Sequence, residues 1–179
     1  MGVLLSTFDP HDEDMLRGYW QALGRFVFYY AYLEDAMQQT LRRVTRTPPA
    51  VGKAIFSGVR VSQAISNIRR TYEARGEAVP AFLEETMQKA GAINSERDRI
   101  LHHGIYFRAW DEGIVTDQAR QLDRKVRTTQ ITVPLLDDLN WDTMVVWSRL
   151  VVFNRTLSRK IAASESGRVG KRCAKAMAL

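Results

Sequence analysis

Three residues late in a predicted helix have the chemistry needed to act on a phosphate group: Arg97, Asp98 and His102. An arginine forks onto phosphate oxygens, and a histidine gains and loses a proton near neutral pH. An aspartate four residues before a histidine can hydrogen-bond it on a helix, and Asn94 extends this polar stretch by one more turn. These side chains are therefore candidates for proton transfer and for stabilising charge on a phosphate ester.

The helix that carries them is predicted over about residues 79–103 from apolar spacings that alternate between four and three. Arg97 occupies a position where this pattern favours leucine, near the middle of the apolar arc, and Asn94, Asp98 and His102 lie along one flank. A guanidinium there needs a partner or an adjacent polar cleft. Glu34, on the apolar side of the first predicted helix, is the candidate partner. The other positions of the pattern are Val79, Leu83, Thr86, Ala90, Ile93 and Ile100.

The rest of the chain is predicted to be mainly helical, with a small β element. The first helix begins near Asp9-Pro10 and ends at Pro48-Pro49, and Gly104 ends the helix that carries Arg97. The other two helices cover about residues 59–75 and a stretch from Leu135 or Trp141 to Ala162. Residues 105–110, 113–118 and 128–133 are β-rich, which predicts a hairpin or a three-stranded appendage before the last helix.

Length and composition predict one domain. The chain has 179 residues, 45% of them hydrophobic, which suits a single domain over residues 1–163 followed by a flexible basic tail over 164–179. Its net charge of +6 admits nucleic acid as a partner, although part of the excess lies in the tail. A dense run of basic residues in a predicted loop is the candidate RNA contact: Arg120, Arg124, Lys125 and Arg127.

Several other classes of protein are disfavoured. The single cysteine, Cys173, rules out an intrachain disulfide, and three histidines without a cysteine cluster predict no metal site and no cofactor. No segment approaches the roughly 20 apolar residues of a membrane span, so we expect a cytoplasmic protein without a membrane partner.

The stretch from Ser95 to Gly104 resembles the Arg-polar-x-x-x-His signature of HEPN domains, with Arg97, Asp98 and His102 at the signature positions. The resemblance implies a four- or five-helix bundle that forms a homodimer in which two motifs face each other. In active members of that family, the facing motifs form the active site of a metal-independent endoribonuclease. His102 would then transfer protons, Arg97 would stabilise the phosphorane, and Asp98 would orient one of them.

The chain departs from the family pattern in two ways. The residue after the motif arginine is Asp98 where asparagine is commoner, and His103 also fits the variable spacing. His102 is favoured because it lies beside Asp98, whereas His103 falls on the outward side of the helix. The favoured function is an RNA-cleaving toxin or defence effector restrained by an antitoxin or regulatory protein.

Three alternatives stay open from the sequence. One is a non-catalytic HEPN-like module that binds RNA, nucleotide or protein. Another is an interaction protein whose dimer is its whole function. In the third, Arg97 forms a structural ion pair with Glu34, and His102 only complements the dipole at the end of its helix.

Overall fold

The computed structural model describes residues 16–102, 105–109, 112–116 and 128–176. Five helices account for most of them: α1 (Arg17–Thr45), α2 (Pro49–Phe56), α3 (Val61–Ala74), α4 (Ala81–His102) and α5 (Val133–Ala176). Three short strands, β1 (Ile105–Ala109), β2 (Glu112–Thr116) and β3 (Thr128–Thr132), lie between α4 and α5. The predicted mainly α class is confirmed.

The chain divides into two compact units. The first contains residues 1–33 and 89–145, and the second contains residues 34–88 and 146–179. Helices α1, α4 and α5 each contribute a segment to both units.

The first unit contains the N-terminal part of α1, the C-terminal part of α4, the three strands and the start of α5. The strands form an antiparallel sheet in the order β1-β2-β3, and Ile105 pairs with Val115 in its register. Asn140 on α5 donates from Nδ2 to the carbonyl of Ala22 on α1 at 3.2 Å, which joins these two helices. The buried apolar side chains of this unit include Tyr19, Phe26, Leu33, Ile93, Ile100 and Leu136.

The second unit contains α2 and α3 with the remaining parts of α1, α4 and α5. One face of α3 is buried, with Val61, Ile65, Ile68 and Tyr72 all at most 8% exposed. Asn154 on α5 donates from Nδ2 to the carbonyl of Ala36 on α1 at 3.4 Å. In each unit, therefore, a hydrogen bond from an asparagine side chain of α5 to a backbone carbonyl of α1 joins the two helices.

The short helix α2 was not predicted, because Pro48-Pro49 was interpreted only as the end of the first helix. Proline suits the first helical position, where its missing N–H costs no hydrogen bond and its fixed φ is already helical. Pro48 precedes α2 and Pro49 is its first residue, while Gly52 donates its backbone N–H to the Pro48 carbonyl at 2.8 Å. The two prolines therefore both end one helix and begin the next.

The last helix is longer than predicted. The sequence placed its end at Ala162, whereas α5 continues to Ala176. Gly167 and Gly170 lie within this helix, where a glycine costs only about 1 kcal/mol relative to alanine. The alanines, arginines and lysines around them favour helix, so the segment continues as one element.

Candidate functional site

A connected set of polar side chains lies on α1 and α4 within the first unit. Tyr30 on α1 donates its hydroxyl hydrogen to Asn94 Oδ1 on α4 at 2.5 Å. Asn94 donates from Nδ2 to Asp98 Oδ2 at 3.2 Å, and Arg97 donates from NH1 to Asp98 Oδ1 at 2.9 Å. Both carboxylate oxygens of Asp98 therefore accept a hydrogen bond from a neighbour on its own helix. These four residues, Tyr30, Asn94, Arg97 and Asp98, are called the polar cluster below.

Arg97 is fixed on two sides. Its guanidinium pairs with Asp98, and its guanidinium carbon lies 5.3 Å from the centre of the Tyr30 ring, a distance typical of a cation-π contact. The Arg97 side chain is 29% exposed, so the group is half-buried but still reachable from solvent. The prediction that a guanidinium at this position would need a polar environment is consistent with this geometry, with Asp98 as one partner.

The helical pattern explains why these groups meet. Ile93 and Ile100 on α4 are 4% and 2% exposed, so the predicted apolar seam is confirmed on either side of Arg97. Tyr30 lies on the buried face of α1 and is 6% exposed. Because a buried tyrosine keeps a hydroxyl that needs a hydrogen-bond partner, its pairing with Asn94 satisfies it at the edge of the core.

Tyr30 was not among the candidate site residues predicted from the sequence. The signal that could have identified it is the combination of a seam position with a phenolic hydroxyl. A phenylalanine would serve the core equally well, so a tyrosine at such a position indicates a polar neighbour on a facing helix.

The remaining candidate residues are only partly placed. His102 is the last residue of α4, one turn beyond Asp98, and its side chain lies outside the described part of the structure, as does all of His103. Glu34 is half-buried on α1 and belongs to the second unit, and its pairing with Arg97 stays a prediction. The predicted RNA contacts lie outside the described residues: Arg120, Arg124, Lys125 and Arg127.

The arrangement can stabilise negative charge. Arg97 pairs with Asp98 through NH1, and the fork of an arginine matches two oxygens of a phosphate. Asp98 reduces the net charge of the pair and holds the guanidinium in one orientation. Among the described residues no group of three or more metal-ligating side chains occurs, and no described helix is long and apolar enough to cross a membrane.

Comparison with known proteins gives no further assignment. No protein-family model matches the chain, and no curated protein or solved structure is significantly similar to it.

Proposed function

We propose that the chain is a metal-independent endoribonuclease of the HEPN type, and that it uses Arg97, Asp98 and His102 to cut RNA. The observation that carries the proposal is the ion pair between Arg97 and Asp98, which is held by Asn94 and by the Tyr30 ring one turn before His102. Cleavage of a phosphate ester needs charge stabilisation and proton transfer. The half-buried, oriented guanidinium of Arg97 can provide the first, and the imidazole of His102 can provide the second.

In the proposed reaction, the ribose 2′-oxygen forms a bond to the adjacent phosphorus, and the bond from phosphorus to the 5′-oxygen breaks. An imidazole accepts the 2′-hydroxyl proton, and a protonated imidazole gives a proton to the departing 5′-oxygen. Arg97 stabilises the negative charge that builds on the phosphorane, and Asp98 orients Arg97. The products are a 2′,3′-cyclic phosphate and a 5′-hydroxyl, and no metal or cofactor takes part.

A second copy of the chain would complete the site. Arg97 and His102 are five residues apart, which places them roughly 140° apart around one helix, so a facing protomer makes joint action on one phosphate easier. The exposed face of α1 in the first unit supports a homodimer, because Trp20, Phe28 and Tyr32 are 45%, 57% and 46% exposed. Exposed aromatic side chains grouped along one helix are typical of interaction surfaces.

The biological setting belongs to the same proposal. An RNA-cleaving dimer of this type would act in the cytoplasm as a toxin or defence effector and would need a restraining protein partner. Arg120, Arg124, Lys125 and Arg127 are the proposed RNA contacts, since a dense cationic run binds the phosphate backbone without sequence preference.

The test is incubation of the purified protein with mixed cellular RNA in EDTA, followed by mapping of the product ends. Wild type should produce cyclic-phosphate ends, His102→Ala should produce none, and His103→Ala should retain most of the activity. Circular dichroism on each variant excludes unfolding as the cause. Absence of cleavage by a folded wild-type dimer would contradict the proposal and favour a non-catalytic module that binds RNA, nucleotide or protein.

A further inference from the structure

A second cationic feature lies entirely within the second unit, where α1 ends and α2 begins. A cleft of about 820 Å³ is lined there by Arg42, Arg43, Arg46 and Lys53. The only carboxylate in its described lining is Asp35, which accepts a hydrogen bond from Gln39 at 2.6 Å and lies 3.9 Å from Arg42. The lining therefore has a strong excess of positive charge.

One of these cations, Arg43, is oriented by uncharged partners. Arg43 donates from Nε to Ser158 Oγ at 2.9 Å and from NH1 to Gln39 Oε1 at 3.1 Å. Ser158 donates its own hydroxyl hydrogen to the Asn154 carbonyl at 2.9 Å, which leaves its oxygen lone pairs for Arg43. Because neither acceptor carries a charge, the guanidinium is held in place without being neutralised.

Arg42 is oriented by packing. Its Cγ and Cδ lie 3.0 Å and 3.1 Å from the position that a Cβ on Gly52 would occupy, so the absence of a side chain at Gly52 makes room for the arginine stem. Its Nε donates to the Gln38 carbonyl at 3.3 Å. The side chain is thereby held at the wall of the cleft and is 27% exposed.

Arg46 occupies a position that normally favours glycine. Helix α1 ends with Arg46 N–H bonded to the Arg43 carbonyl and Thr47 N–H bonded to the Arg42 carbonyl, the pattern of a Schellman motif. Arg46 is the left-handed residue of this motif, with φ of 56°, and among the described residues it is the one non-glycine residue with positive φ. A left-handed conformation costs a side-chain-bearing residue about 1 kcal/mol or more, so helix termination alone does not explain an arginine here.

Arg46 and Lys53 complete the positive lining. Within the described part of the chain, neither side chain forms an ion pair. Pro48, Pro49 and Ile161 add apolar surface to the same cleft. A recess of several hundred Å³ with apolar walls and a few fixed polar groups has the dimensions of a small-molecule site.

We propose that this cleft binds a small molecule that carries a di- or triphosphate group. Several adjoining guanidinium and ammonium groups match the closely spaced charges of linked phosphates, and fixed arginines bind such oxygens at low entropic cost. The apolar lining leaves room for an organic group attached to the phosphates. The site consists of residues outside the polar cluster, and the proposal is independent of RNA cleavage.

The test is isothermal titration calorimetry on the full chain at fixed ionic strength, with inorganic tripolyphosphate, ATP and adenosine as probes. Tripolyphosphate and ATP should bind with one saturable site, and adenosine should not bind. Equal affinity for the two phosphates identifies the phosphate chain alone as the ligand, whereas tighter binding of ATP shows that the apolar lining contacts the organic group. Arg43→Gln should lower the affinity for tripolyphosphate and for ATP by at least about tenfold.

Two further variants separate binding from folding and from overall charge. Arg46→Gly removes one cation and relieves the left-handed backbone, so it should weaken tripolyphosphate binding while the melting temperature stays the same or rises. Arg155→Gln, which removes an exposed cation from α5 outside the cleft lining, should leave the affinity within about twofold. The proposal is overturned if folded wild type binds neither phosphate, if Arg155→Gln weakens binding as much as Arg43→Gln, or if only RNA binds through Arg43 and Arg46.

Discussion

Replacement of Arg97 by alanine distinguishes a catalytic arginine from a structural one. A structural arginine predicts a small loss of stability, whereas a catalytic one predicts a large fall in cleavage rate. The lost contacts include the ion pair between Arg97 and Asp98, whose side chains are 29% and 42% exposed, and the cation-π contact with Tyr30. Solvent-exposed pairs contribute about 0.2–1 kcal/mol, and cation-π contacts at partly exposed sites about 0.5–1 kcal/mol. The expected loss of stability is therefore about 1–2 kcal/mol.

A loss of that size leaves the protein folded. For a chain of this length it corresponds to a fall in melting temperature of roughly 2–8 °C. Loss of a group that stabilises transition-state charge, by contrast, lowers a rate by about 100- to 1,000-fold. The measurements are thermal unfolding followed by circular dichroism and the initial rate of cleavage of a labelled RNA in EDTA, both at a temperature well below the transition.

Arg99→Ala is the matched control. Arg99 lies on the same helix, pairs with Glu96, and has a side-chain exposure of 36%, close to that of Arg97. Its replacement should have a similar effect on stability and leave the cleavage rate unchanged. If both variants lower the rate by the same factor, or if Arg97→Ala cuts RNA as fast as wild type, the assignment of Arg97 to the chemistry is wrong.

Three other substitutions test how the structure positions its polar groups. Tyr30→Phe keeps the ring beside Arg97 but removes the hydrogen bond to Asn94, so it should lower the free energy of unfolding by about 1 kcal/mol and slow RNA cleavage less than Arg97→Ala does. Glu84→Gln removes an ion pair with Arg69, whose hydrogen bond holds the pKa of Glu84 below its usual value, and should cost less than about 1 kcal/mol at pH 7. Because the folded-state pKa is the lower one, this difference in urea unfolding should persist above the usual carboxyl range and vanish as the pH falls through the folded-state pKa. Burial raises the pKa of Tyr19 to about 12, so its contribution to stability should be lost as the pH rises from about 10 towards 12, and Tyr19→Phe should unfold at a higher pH than wild type.

Local patterns were sufficient to predict most helices and one side of the candidate site. The alternating apolar spacing located α4 to within about two residues and marked Arg97 as an unusual occupant of the seam, which its half-buried side chain bears out. Asn94 and Asp98 followed from spacing along the same helix, since residues four apart lie next to each other. Their hydrogen bond at 3.2 Å agrees with that reasoning.

Contacts between helices were harder to predict than contacts within one. Tyr30 and Asn94 are separated by 64 positions in the chain, and their hydrogen bond depends on how α1 packs against α4. The apolar pattern of each helix specifies which face is buried but not which residues of two buried faces come opposite each other. Glu34 was chosen as a partner for Arg97 by polarity alone, and that pairing stays a prediction. Asp98, the immediate neighbour of Arg97, is one acidic partner in the structure.

The cleft at the end of α1 shows what a pattern of residue types leaves out. Arg42 and Arg43 lie in the last turn of α1, where cations ordinarily face solvent and complement the helix dipole. Their positions depend on two features that composition does not reveal, the left-handed backbone of Arg46 and the start of α2 directly after Pro48. Helix termination would be satisfied by glycine at position 46 and dipole complementation by mobile side chains. Arg46 ends the helix no better than glycine would, and the fixed guanidinium of Arg43 complements the dipole no better than a mobile side chain would. This is the physical reason to explain both residues by a ligand.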